Sequence, residues 1–246
     1  MKLTHAFLAL GAVGMACGCG SKDQNAASGG AKQAAAVGDL TMDNVMPMAN
    51  GNVWTYALSA KSLQGSGTAE AVFKMRDVQD LGGGGKRAKI DIFLNQKLTE
   101  TQIWELDASG LYEVAGGEHT TPFSTRQPMV LFPAKKGSKF KWEGKGPMPV
   151  GGNNSAKLES EVHGPELIDT ATGLTGAVGV ETTGTFIVTL KQPGKGSQDA
   201  QAVQVSDSWW QPKVGLVRMK IKITVPGVRE DEQTIKLKKF SPVGKG

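Results

Sequence analysis

From about residue 50 onward, apolar and polar residues alternate at a period of two through most of the chain, which leaves room for little besides β-strand. Ala69, Ala71, Phe73 and Met75 alternate with Glu70, Val72, Lys74 and Arg76; Ala88, Ile90, Ile92 and Leu94 alternate with Arg87, Lys89, Asp91 and Phe93. This pattern marks strands with one buried and one wetted face. Gly51-Asn-Val-Trp-Thr-Tyr56 and residues 99–106, 139–142, 156–162, 185–190, 201–205, 216–225 and 233–240 read the same way. Turn-forming clusters lie between them, at 82–85, 107–110, 144–154, 192–197 and Pro226-Gly227. His163 before Gly164-Pro165 reads as a further turn. Short strands separated by glycine-rich turns predict an all-β domain: an antiparallel curved sheet, half-barrel, closed barrel or sandwich, with at most one or two short helices. Trp54, Phe73, Ile90, Ile92, Phe140, Phe186, Ile221 and Ile223 are the predicted core.

The start of the chain is of another kind. Lys2 and His5 precede an apolar and glycine run from Ala6 to Ala16, followed by Cys17-Gly-Cys19-Gly-Ser21. The run is too short to span a bilayer and has the layout of a secretory signal. Its small residues and cysteines resemble the lipobox of bacterial lipoproteins. That resemblance implies cleavage before a lipid-bearing cysteine, here Cys19 after Ala16 and Gly18, with Cys17 the competing position. Residues 1–18 are then a signal peptide, and 19–41 a lipidated cysteine and flexible tether rich in Ser, Asn, Ala and Gly. Residues 42–246 form one β domain. The domain holds no cysteine, so burial must stabilise it without disulfide or thiolate metal site. Losing Lys2 with the signal lowers the formal charge from +5 to +4, which favours solubility and points to no nucleic-acid partner.

A weak repeat runs through the domain. Gly51-x-x-Trp54 opens one half, which closes at Trp104 with Gly110-Leu111; Gly137-x-x-Phe140-x-Trp142 opens another, closing at Trp209 with Gly215-Leu216. A duplicated β-meander explains this, and so do tryptophans that anchor cores beside turns. The series Gly51 to Tyr56, Ser109-Gly-Leu-Tyr112, Leu131-Phe-Pro133 with Gly137 and Trp142, Gly184-Thr-Phe186, and Trp209 to Val217 resembles a group of bacterial envelope lipoproteins of unknown function. The resemblance implies a lipoprotein-carrier-like or half-barrel β fold and an envelope location, and it carries no catalytic residue.

Catalytic motifs are not found. Gly65-Ser66-Gly67 lacks the spacing of a nucleophile elbow, and Gly82 to Lys86 is followed by Arg87 where a phosphate loop needs a hydroxyl. His119 and His163 have no metal-ligand spacing, and Glu159, Glu161 and Glu230-Asp231-Glu232 read as solvated faces or turns. No cofactor or metal is expected. Adjacent Trp209 and Trp210 must point to opposite faces of a strand, so one is an outward aromatic.

Residues 217–225 and 235–238 form a hairpin in which Ile221 is expected opposite Ile235 or Leu237. Arg218, Lys220, Lys222, Lys236 and Lys238 then share the outer face as a basic stripe, either a hint of anionic envelope polymer or an edge blunted with lysine. The expected role is a non-catalytic, membrane-anchored binder of an apolar ligand or envelope partner. The alternatives are an envelope glycan- or lipid-acting hydrolase and a purely structural assembly lipoprotein.

Overall fold

The computed structural model describes residues 37–63, 65–149, 153–192 and 196–244; the segment expected to be a signal peptide, Cys17 and Cys19 lie outside them. No helix occurs among the described residues. The strands are β1 (Val53–Ser62), β2 (Gly65–Gly82), β3 (Gly85–Leu94), β4 (Lys97–Asp107), β5 (Gly110–Gly116) and β6 (Thr121–Leu131), then β7 (Lys139–Pro147), β8 (Asn153–Thr170), β9 (Gly173–Gln192), β10 (Gly196–Gln211), β11 (Gly215–Val225) and β12 (Arg229–Ser241).

All twelve lie in one antiparallel sheet, ordered β6-β5-β4-β3-β2-β1-β12-β11-β10-β9-β8-β7. Strands β1 to β6 form one meander and β7 to β12 another. The ladder between β1 and β12, Val53↔Ser241 to Ser62↔Asp231, joins them. The sheet curls until its end strands β6 and β7 meet, giving a nearly closed barrel.

The sequence repeat corresponds to these two meanders. Gly51 and Gly137, both at positive φ (87° and 81°), lead into β1 and β7. The Gly51 N–H donates to Met75 O (2.8 Å) and Met75 N–H returns to Asn52 O (2.9 Å); Gly137 and Ser138 make the same pair of bonds with Val162 (2.7 and 2.9 Å). Trp104 and Trp210 stand on the fourth strand of each half and meet edge to face inside the barrel, with ring centroids 6.5 Å apart.

All eight predicted core residues are buried. Two side chains of β1 brace the interior: Trp54 Nε1–H donates to Val214 O (2.7 Å), and the Tyr56 hydroxyl to Leu216 O (2.9 Å). Leu216 lies beyond the β11–β12 ladder, which begins at Arg218. Its carbonyl therefore takes a side-chain donor. Burial pushes the Tyr56 pKa far up, so the hydroxyl keeps its proton.

One end of the barrel, called the lower end, holds the turns β2–β3, β4–β5, β8–β9 and β10–β11. The segment before β1 closes it. Leu40, Val45, Met46 and Met48 are buried there, Leu40 bridges to Ala134, and Asn44 O accepts from Lys213 N–H. Burial thus begins before Met42, where the β domain was expected to open.

Two local expectations are corrected. Ile221 pairs with Gln233 rather than Ile235 or Leu237, and Arg218 stands opposite Lys236. His163-Gly164-Pro165 is a bulge within β8 rather than a turn, with Gly164 at φ 87°. The bulge lets the far end of β8 bend, so that Ile168 covers Val217 on the outside of the barrel.

The Tyr56 brace can be measured. Tyr56→Phe leaves a buried carbonyl without its donor, and urea unfolding is expected to show a loss of about 1–3 kcal/mol. A loss under about 0.5 kcal/mol would mean that the hydroxyl does not hold the Leu216 carbonyl.

Candidate functional site

The barrel closes at the β6–β7 seam through side chains. Pro122 and Pro128 interrupt the donors of β6, which suits an edge strand. In place of a backbone ladder, Lys145 N–H donates to Ser124 Oγ (2.8 Å) and Trp142 Nε1–H to Thr125 O (3.3 Å). The Phe123 ring packs edge-on against Trp142, with centroids 5.8 Å apart. It also lies flat on β7 at Gly146, where a Cβ would stand 1.9 Å from Phe123 Cδ1. Glycine at 146 is what lets the aromatic ring seal the seam.

Behind Phe123, in the half of the barrel away from the plugged end, is a cavity of about 180 Å³. Its apolar walls include Phe73, Trp104, Leu158, Met219 and Ile223. Glu100 and Gln102 continue the inward face of β4 that Trp104 and Leu106 occupy, so they also point into the barrel. Glu100 Oε1 accepts from Gly117 N–H (2.7 Å) and Gln102 Nε2–H (3.2 Å), and Gln102 Oε1 accepts from Trp104 Nε1–H (2.9 Å). The bonds orient the amide and hold the Glu100 carboxylate at the upper end.

A second carboxyl joins it. A Cβ built on Gly116 would meet Glu113 Oε1 at 2.4 Å and Glu100 Oε1 at 3.2 Å, so the missing side chain at 116 makes room for both groups. Glu113 is half-buried as a residue, with its carboxyl turned into the enclosed end. Burial, and then the Glu100 charge, raise the Glu113 pKa well above the ordinary glutamate range. From β12, Gln233 lines the same cavity at 4% exposure, and its Oε1 is buried without a hydrogen-bond donor.

Sequence reading passed over these three residues. Glu100 was legible, because it keeps phase with Trp104 and Leu106; Gln233 keeps phase with Ile235 in the same way. Glu113 was not, because the bulge between Glu113 and Ala115 breaks the alternation.

The residues singled out from sequence lie elsewhere. Trp210 is the inward member of its pair, 1% exposed. Trp209 is the outward one; its Nε1–H donates to Glu166 Oε1 (2.5 Å) and the Arg218 guanidinium lies 4.9 Å over its ring. The five cations of the stripe do share an outer face, and each meets a carboxylate. Arg218 and Lys236 both bind Asp169 from the bent β8–β9 hairpin. Lys220 pairs with Glu232 (3.4 Å), Lys222 with Glu230 (3.1 Å) and Lys238 with Glu70 (2.7 Å). Lys236 and Arg218 together hold the Asp169 carboxyl below its usual pKa range. His119 is exposed in the β5–β6 turn, and His163 is exposed 3.7 Å from Glu181. Among the described residues no group of three or more His, Cys, Asp or Glu is placed to hold a metal ion.

No family model matches the sequence, and no curated protein matches it. Two solved structures are similar. A protein from Parabacteroides distasonis, provisionally described as a lipoprotein, aligns over 83% of this chain and 100% of its own, at 14% identity and a TM-score of 0.49. A protein from Bacteroides fragilis, provisionally described as exported with a YmcC-like fold, aligns over 81% of this chain and 100% of its own, at 12% identity and a TM-score of 0.44.

Two measurements test the site's construction. Gly146→Ala is expected to destabilise the barrel by about 1–3 kcal/mol, as overpacking does. Combined with Phe123→Ala, the loss should fall short of the sum of the single losses, whereas additivity would separate Gly146 from the ring. The second concerns pH. The folded protein binds the Glu113 proton more tightly than the unfolded chain, so stability should fall as pH rises from the ordinary carboxyl value, about 4.3, through the raised one. Glu113→Gln should flatten that fall and be the more stable protein at neutral pH. Parallel urea-derived curves for both proteins would show that Glu113 does not carry the slope.

Proposed function

We propose that this chain is an exported envelope lipoprotein, lipidated at Cys19, whose barrel binds a small ligand with an apolar body in its interior. The observation that carries the reading is the largely apolar, partly open cavity of about 180 Å³ in the upper barrel. A dry cavity of about 150 Å³ lined by aliphatic and aromatic side chains accommodates a benzene-sized molecule. The plugged lower end supports the anchored arrangement. The chain enters the barrel there at Val37, so a lipid on Cys19 would hold the domain by its closed end and leave the upper end free. The ion pairs on the β11–β12 face favour a solvating role for the lysine stripe, because exposed charges that are already paired attract a further polyanion weakly.

A hydrolase is the second reading, favoured by the two carboxyls that share the cavity, the Glu113 pKa being raised by burial and by the charge of Glu100. The apolar walls and the Gln102–Trp104 bonds suit holding a ligand better than admitting water. Turnover of chromogenic glycosides or esters that is lost in Glu113→Gln would decide for catalysis.

Two results are expected of the binding reading. Benzyl alcohol, matched to the cavity, should raise Tm saturably, as a ligand of the native state does, and Met219→Trp should abolish the shift by filling the space. Absence of a saturable shift in the wild type would remove the cavity as a site. A fatty-acid probe should label the protein in cells and fail to label Cys19→Ala; loss in Cys17→Ala alone would move the anchor to Cys17.

A further inference from the structure

The polar side chains that line the cavity are the carboxyls of Glu100 and Glu113 and the amides of Gln102, Gln127, Gln204 and Gln233, and one amide oxygen is without a donor. Gln233 is 4% exposed, and its Oε1 has no donor. A buried acceptor without a partner costs about 1–3 kcal/mol. The Glu100 carboxylate is held in place by Gly117 and Gln102, and the Glu113 carboxyl faces it above Gly116. Two carboxyls in a largely apolar cavity complement a group that is cationic, compact and rich in N–H donors.

Building on the interior-binding reading above, we propose that the cavity selects a primary amine with a small apolar body, the ammonium held by Glu100 and Glu113. An ammonium has three donors and no acceptor, which suits this lining. A carboxylate ligand would meet the Glu100 charge in low dielectric, and a neutral alcohol brings a single donor.

Proton balance follows from the same groups. The charged residue facing Glu113 is Glu100 of β4. From β6 the group across the ladder is Gln127, while Arg126 turns outward over the Tyr112 ring, 4.0 Å from its centroid, and onto Asp107. From the end of β7 and the connection after it come Pro147 and Met148, and from β10 and β12 the amides Gln204 and Gln233. Arg229 and Asp231 of β12 are bound to each other. With no cation facing it among the described residues, Glu113 binds its proton more tightly in the empty site than an exposed glutamate does. An entering ammonium would stabilise the ionised form, so amine binding should release one proton from Glu113 and strengthen as pH rises through the raised Glu113 pKa.

The experiment compares three isosteres, benzylamine, benzyl alcohol and benzoate, by titration calorimetry on the full chain at neutral pH in buffers of different ionisation enthalpy. Benzylamine is expected to bind at least about tenfold tighter than benzyl alcohol (about 1.4 kcal/mol), with benzoate weakest. Only the amine should release protons. Glu113→Gln should abolish the proton release and most of the amine's advantage over benzyl alcohol. Equal binding of amine and alcohol, or an amine preference that survives both Glu113→Gln and Glu100→Gln, would overturn the proposal and leave the cavity as a binding site. Failure of all three ligands to bind would remove the interior site itself, and the proposal with it.

Discussion

The barrel depends on the ladder between β1 and β12. Both meanders are built from hairpins, and a hairpin brings near neighbours in sequence together at small entropic cost. Alone, each six-stranded meander would expose an edge at either side and leave its apolar face half covered. Pairing Val53↔Ser241 through Ser62↔Asp231 brings residues from the two ends of the domain together and turns two half-sheets into one enclosure. The Trp54 and Tyr56 bonds to Val214 and Leu216 reinforce that junction from inside. Because these contacts join distant parts of the chain, they are the slow ones to form.

The opposite junction is of another kind. Between β6 and β7 the prolines remove donors, and Phe123 and Trp142 supply packing where a ladder would run. A repeat of two similar halves would place equal ladders at both junctions. Here one is a full ladder and the other a side-chain seal, and the cavity lies beside the seal. The interior that is least densely filled is therefore next to the weakest-bonded line of the wall.

Polarity inside the barrel follows from the same arrangement. The lower half is packed by Leu40, Val45, Trp54, Tyr56 and Ile90, with the chain before β1 as its floor. Toward the upper end of β4 the inward positions change from Leu106 and Trp104 to Gln102 and Glu100, while Gly116 gives up its side chain to admit Glu113. A carboxyl in such surroundings binds its proton more tightly than an exposed one, which makes this end the chemically responsive part of the molecule. On the outside, the paired charges on β11 and β12 are ordinary solvated contacts whose partners come from β2, β8 and β12 itself.

The all-β class, the core and the two-meander plan were legible in the sequence, because a period of two fixes which residues share a face and a turn glycine fixes where a strand begins. Ile90, Ile92, Ile221 and Ile223 were placed by phase alone, and Gly51 and Gly137 mark the start of each half. Phase also put Glu100 and Gln233 inside, beside Trp104 and Ile235, although their polarity suggested otherwise. Tertiary structure decided the rest. The bulge at Glu113 reversed a local phase, and the bend of β8 brought Asp169 to Arg218 and Lys236. Closure of the sheet gathered Glu100, Glu113 and Gln233 from three strands around one cavity. Alternation reports which face of its own strand a residue occupies; which strands then face one another depends on curvature and closure, and these arise only when the whole sheet is assembled.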